Sequence, residues 1–122
     1  MKDFEEIIEK FNRFADERDW AQFHTPKNVA IALSVEVSEI LEILQWLSDK
    51  EIQQLVESEP NEKEKIENEI VDSLFYLMKL VDLFKVDLDS SIKRKIMINA
   101  EKYPAEKVRG SAKKYDEYKN RD

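Results

Sequence analysis

Val29-Ala30-Ile31-Ala32-Leu33-Ser34-Val35-Glu36-Val37-Ser38-Glu39-Ile40-Leu41-Glu42-Ile43-Leu44-Gln45-Trp46 is the stretch that decides the fold class. It holds no glycine or proline, and its apolar residues recur at helical spacing. One face reads Val29, Ala32, Glu36, Glu39, Ile43 and Trp46, apolar except for its two glutamates. A second long stretch, from about Glu62 to Phe84, is equally free of breakers and rich in Ile, Leu, Val and Met. The whole chain contains one glycine and three prolines, too few turn formers for a sheet protein. These features predict an all-α fold.

Outward from the first stretch, Thr25-Pro26 supplies an N-cap followed by proline at the first helical position, so this helix spans Pro26 to about Leu47. Before it, Phe4, Ile7, Ile8, Phe11 and Phe14 mark an amphipathic first helix ending near Asp19-Trp20, with Trp20 to Thr25 as a loop. After it, Ser48 with Glu51 matches a capping box for a short helix over Asp49 to Glu57, broken by Glu59-Pro60-Asn61. Val86 to Asp89 forms a turn in which Asp87 or Asp89 caps a further helix to about Lys102, stopped by Tyr103-Pro104. The expected architecture is a four-helix core with short accessory helices, a single domain over residues 1–122, and a partly ordered charged tail from Ala105 onward.

With 122 residues the chain leaves much apolar surface uncovered, and a homo-oligomer is expected from size alone. A net charge of −7 argues against nucleic-acid or anionic-membrane partners, which need a basic surface. The absence of cysteine excludes disulfides, thiolate metal sites and a cysteine nucleophile. Met1-Lys2-Asp3-Phe4-Glu5-Glu6 is no signal-peptide core, and Glu36, Glu39, Lys79 and Asp82 interrupt the most apolar runs. A cytoplasmic location is expected.

Glu36 and Glu39 are three residues apart, hence on one helix face, and so are Glu69 and Asp72, whose face continues to Tyr76 and Leu83. Either pair alone is common on the wet side of an acidic helix. Both together, on the two most apolar helices, leave a surface reading and a site reading evenly matched. Uncompensated carboxylates on apolar faces cost several kcal/mol, and close like charges resist joint ionisation, so facing pairs require cations. Ligands that are all oxygen favour a hard ion, Mg²⁺ or Mn²⁺, over zinc. A di-iron carboxylate bundle would need Glu-x-x-His on paired helices, and the single histidine, His24, lies in the loop.

Glu36-x-x-Glu39 followed by Glu69-x-x-Asp72 resembles the metal signature of the MazG-like all-α nucleotide pyrophosphohydrolases. Glu17-Arg18-Asp19-Trp20-x-Gln22-Phe23-His24-x-Pro26-x-Asn28 and Gln45-Trp46 resemble the dCTP pyrophosphatase branch of that family. So do Val86-Asp87-Leu88, Lys95-x-x-Ile98-Asn99-x-x-x-Tyr103-Pro104 and Arg109-Gly110-Ser111-x-x-Lys114-Tyr115, so the likeness covers roughly residues 4 to 115.

The resemblance implies Mg²⁺-dependent hydrolysis of a (deoxy)nucleoside triphosphate to monophosphate and pyrophosphate, with dCTP or a modified dCTP as substrate and nucleotide-pool cleansing as role. By matching position, Glu36, Glu39, Glu69 and Asp72 are the metal ligands and catalytic residues, with one glutamate orienting the attacking water. Trp20 and Trp46 match base-packing positions, while Tyr76, Lys95 and Asn99 match residues near the sugar and phosphates. The family implies a homodimer or homotetramer with active sites partly built between subunits. Phe11 and Met97 depart from the family pattern where a histidine and an aspartate are common, and Ala100 and Glu101 replace basic residues, which leaves base preference open. dUTP or phosphoribosyl-ATP as substrate, or a helical oligomerisation module without activity, are the alternatives.

Overall fold

The computed structural model describes residues 2–111, which form helices joined by short turns, with no strand among them. The chain divides into two compact units, Met1–Lys85 and Val86–Asp122. The first contains α1 (Lys2–Asp16), a 3₁₀ turn (Ala21–Phe23), α2 (Pro26–Leu44), α3 (Asp49–Ser58) and α4 (Pro60–Leu83). The second contains α5 (Leu88–Lys102) and a single-turn α6 (Ala105–Val108).

In the first unit α4 is the hub: α2 packs along it most extensively, and α1 and α3 also lie against it. The all-α class follows the sequence pattern, while α5, expected to share one domain with the preceding helices, falls in the second unit and the short α3 packs on α4 in the first. The helix starts follow it too. Thr25 Oγ1 accepts from the Asn28 backbone N–H at 3.3 Å with Pro26 behind it, and Ser48 and Glu51 exchange both bonds of a capping box. On α5, Asp87 rather than Asp89 is the cap, its Oδ1 accepting from Ser90 N–H at 3.3 Å.

Several boundaries move by a few residues. The first helix stops at Asp16, short of Asp19-Trp20, because the chain folds back: Trp20 N–H donates to Ala15 C=O at 3.0 Å. Asp19 makes that reversal at φ 55°, a left-handed conformation its short polar side chain tolerates. The Trp20–Thr25 segment contains one 3₁₀ turn. Helix α2 ends at Leu44 rather than Leu47. Pro60, expected as a breaker before Glu62, is instead the first residue of α4, where a missing N–H costs nothing. The tail begins with α6, and Gly110 turns the chain at φ 77°, a value open to glycine. Lys114 and Tyr115 lie outside the described residues.

Ala15, Val29, Leu55 and Met78 are enclosed, and so, unexpectedly, is Lys79. Its ammonium donates to Asn12 Oδ1 at 2.6 Å, and Asn12 Nδ2 donates to Asp82 Oδ2 at 3.2 Å. This chain of polar groups clamps α1 to α4 and satisfies a buried charge that would otherwise cost several kcal/mol. Much apolar surface stays open, including Leu41 (60% exposed) on α2 and Ile96 (63%) on α5. No described helix is long and apolar enough to cross a membrane.

Candidate metal centre and aromatic pocket

The packing of α2 on α4 brings the two acidic pairs face to face. Glu36, Glu69 and Asp72 each offer a carboxylate oxygen, all within 4.8 Å of one another. Glu39, one turn along α2 and half-buried, is within hydrogen-bonding reach of Glu36 and Glu69. Two carboxylates can bond in this way only by sharing a proton. When ionised they are orphans, and Oε2 of Glu36 and Oε2 of Glu69 are buried without a partner.

The electrostatics follow from that crowding. Burial, then the adjoining Glu69 and Glu39 carboxyls and the Asp72 charge, push the Glu36 carboxyl up to about 7. Glu69 is raised too, through Glu39 first. Anionic oxygens gathered this closely are poised for a divalent cation, and the all-oxygen donor set suits a hard one. The expectation of four ligating carboxylates thus meets three that converge at once and a fourth, Glu39, at their edge.

Beside the carboxylates opens a hollow of about 390 Å³, within the range of small-molecule sites. Glu36 and Asp72 line its acidic side; Phe11, Phe14, Trp20, Phe75 and Tyr76 line the rest, with Lys10 as its basic residue. The aromatic wall is built from three elements. Phe11 of α1 meets Phe75 of α4 edge-on at 4.9 Å, Phe14 meets Trp20 at 5.7 Å, and Phe75 meets Tyr76 at 5.1 Å. Arg18 caps this cluster, its guanidinium 3.7 Å from the Phe14 ring centre. Tyr76 lies one turn beyond Asp72, and burial with the Glu36 and Asp72 charges raises its hydroxyl, keeping it a hydrogen-bond donor.

A second hollow of about 300 Å³ adjoins this one through Trp20 and Tyr76, which line both. Its other walls include His24, Asn28 and Ala32. Asn28 Nδ2 donates to the Phe23 carbonyl at 3.2 Å and ties the 3₁₀ turn to α2. His24 packs edge-on against Phe75 and Tyr76, which places this loop histidine in the site rather than merely in the loop.

Trp20, Tyr76 and the carboxylates are therefore gathered in one region. Trp46 is not: it lies beyond the end of α2 and is 83% exposed. Lys95 and Asn99 stand one turn apart and exposed on α5 in the second unit. The sequence reading missed Phe14 and Phe75 as pocket walls and Asn12 with Lys79 as the clamp behind them. Phe75 carries no signal beyond its place beside Tyr76, whereas Lys79 continues the Asp72–Tyr76 face and interrupts it with a charge.

Residues 31–118 match the MazG-like family model. Human dCTP pyrophosphatase 1 is 41% identical over 113 residues, which cover 93% of this chain and 66% of that protein. The bovine protein of the same name is 40% identical over 111 residues, covering 91% and 65%. The chain thus spans just under two thirds of the length of these curated relatives. The crystal structure of a pyrophosphatase from Archaeoglobus fulgidus matches at a TM-score of 0.71 and 40% identity, covering 82% of this chain and 91% of that one. The family-model match over residues 31–118, with 40% identity across most of both chains to a solved pyrophosphatase, decides the matter: the chain belongs to the MazG-like family.

Proposed function

We propose that this protein hydrolyses a (deoxy)nucleoside triphosphate of the dCTP type to the monophosphate and pyrophosphate. The observation that carries the reading is the convergence of Glu36, Glu69 and Asp72 within 4.8 Å, two of their oxygens buried and unpartnered, at the rim of an aromatic hollow. In this reading Glu36, Glu39, Glu69 and Asp72 hold Mg²⁺, with Mn²⁺ as a substitute. The metal, when bound, neutralises phosphate oxygens and acidifies water.

The chain's own groups supply the rest. One glutamate of the cluster orients the attacking water and accepts its proton in this reading. The Tyr76 hydroxyl, held protonated, donates to the sugar or a phosphate oxygen. Trp20 and Phe75 give the nucleoside an apolar face and exclude water. Lys95 and Asn99 enter the reading through the sequence motif, as phosphate- and sugar-side groups.

The exposed apolar residues, Ile31, Val35, Val37 and Leu41 on α2 and Ile92 and Ile96 on α5, support a homodimer or homotetramer. In such an assembly Trp46 completes the base site of a neighbouring copy. Nucleotide-pool cleansing by a cytoplasmic enzyme is the cellular role that fits this chemistry.

Incubation with dCTP and Mg²⁺, followed by separation of the products, tests the reaction. Monophosphate and pyrophosphate are expected, and Glu39→Gln abolishes both. Diphosphate and phosphate would place cleavage at the other bond and overturn the assignment.

A further inference from the structure

Lys10 belongs to none of the motifs that carry the family resemblance, yet it lines the same hollow as Glu36 and Asp72. Its place there follows from the helix. Lys10, Phe11 and Phe14 stand at i, i+1 and i+4 on α1, and all three line this hollow, two as apolar wall and one as a cation.

The ammonium of Lys10 is unengaged. Glu6 stands one turn before it, the favoured order for an ion pair along a helix, and Glu9 forms such a pair with Arg13 at 3.1 Å. Lys10 forms none: among the described residues no carboxylate lies within salt-bridge distance of its Nζ. Even Glu36 and Asp72 do not meet it. A cation and two anions thus share a cavity of about 390 Å³ without neutralising one another.

That arrangement suits a ligand that is itself strongly anionic. Carboxylates hold a phosphate oxygen only through a metal ion, and the ion offsets only part of the charge of a polyphosphate. The remainder calls for a donor that needs no metal, and an ammonium on a four-carbon stem offers three N–H groups with a full charge. A phosphate oxygen is also the stronger partner, since bonds between charged groups exceed those to a neutral base carbonyl. Metal-bound phosphates must lie beside Glu36 and Asp72, and Lys10 lines the hollow that these two residues bound.

We propose that Lys10 is a phosphate-binding residue: its ammonium pairs with the polyphosphate chain where the metal leaves charge unmatched, and it favours a nucleoside polyphosphate over the bare nucleoside. The proposal rests on the reading that the carboxylates hold a divalent cation beside a nucleoside triphosphate, and it adds a binding group to that site. The contact exists before cleavage begins, so its loss raises KM more than it lowers kcat.

Calorimetric titration in Mg²⁺ buffer with inorganic tripolyphosphate and with deoxycytidine tests it without turnover. Lys10→Gln weakens tripolyphosphate about tenfold, the lower end of what a bond between charged groups contributes, because Lys10 is exposed. Deoxycytidine binding stays at the wild-type value. Lys10→Arg, which keeps the charge, restores most of the affinity, and neither variant alters the melting temperature. Added salt weakens tripolyphosphate binding more steeply in the wild type than in Lys10→Gln. No tripolyphosphate binding by the wild type, an unchanged affinity in Lys10→Gln, or an equal loss for tripolyphosphate and deoxycytidine overturns the proposal. Hydrolysis of dCTP separates it from the reading beneath it. If no triphosphate is cleaved and the Lys10→Gln loss is present, the proposed reaction fails and the phosphate contact stands. If dCTP is turned over with one KM by the wild type and Lys10→Gln, the reaction stands and the proposal fails.

Discussion

Removal of Asn12 is the sharpest test of how the pocket wall is held. Lys79 is only 7% exposed, and the bond that satisfies its charge is the 2.6 Å donation to Asn12 Oδ1. A hydrogen bond to a charged group contributes about 1.5–3 kcal/mol, and stripping the partner from a buried charge costs about 3–5 kcal/mol. Asp82 sits one turn along α4 and already accepts from Asn12 at 3.2 Å, so the ammonium in Asn12→Leu can swing toward that carboxylate and recover part of the loss. A net destabilisation of about 2–3 kcal/mol is expected, combining these opposing terms. Lys79→Met removes the charge itself and should cost less, about 1 kcal/mol, because a methionine fills similar volume without a desolvation penalty. The double variant should therefore be more stable than the sum of the singles predicts, by about 1 kcal/mol or more. Equilibrium urea unfolding at one fixed protein concentration measures all three; the fixed concentration matters because assembly would couple to stability. The consequence reaches the site, since α1 carries Phe11 and Phe14 of the aromatic wall, and Asn12→Leu should also weaken nucleotide binding. Strict additivity, or an Asn12→Leu cost below about 0.5 kcal/mol, the level of an ordinary surface change, would refute the argument that this clamp is a buried charge with one essential partner.

Three further outcomes follow from the same geometry. In metal-free buffer the folded chain keeps a proton on Glu36, raised from 4.5 to about 7, that the unfolded chain releases earlier. Its stability should thus be greatest below the lower value and fall as pH rises through 7. Melting in a chelator between pH 5 and 8 checks the sign, and Glu36→Gln should flatten the slope while weakening stabilisation by Mg²⁺. Trp20→Ala, which removes the wall common to both hollows, should lower kcat/KM for the preferred triphosphate by tenfold to a hundredfold, the loss of about 1–3 kcal/mol of stacking. Ser48→Ala, which breaks the capping box of α3, should cost about 1 kcal/mol in urea unfolding without altering nucleotide affinity, since α3 contributes no residue to either hollow.

Polar residues interrupting apolar helical faces were the informative feature of this sequence, and they show where such reading stops. Glu36, Glu69 and Lys79 present the same local pattern, an ionisable group among residues destined for a helix interface. Helical periodicity places all of them, because a spacing of three or four is enough to define a face. It cannot say which is satisfied. The partner of Lys79 is Asn12, 67 residues away on a helix whose own pattern marks Asn12 only as a polar neighbour of Phe11. The neighbours of Glu36 and Glu69 are other carboxylates, so their buried oxygens stay unpartnered. One interruption is therefore a clamp and the others a candidate cation site, and the difference lies in tertiary contacts that no local spacing encodes. The same limit explains the aromatic pocket. Phe75, Phe11 and His24 come from α4, α1 and the turn between α1 and α2, and each alone reads as core or loop. The caps at Thr25, Ser48 and Asp87 were legible because capping is a contract among residues within one turn. Trp46 marks the opposite extreme: 83% exposed just past the end of α2, it occupies a matched position whose spacing along the helix says nothing of a packing partner.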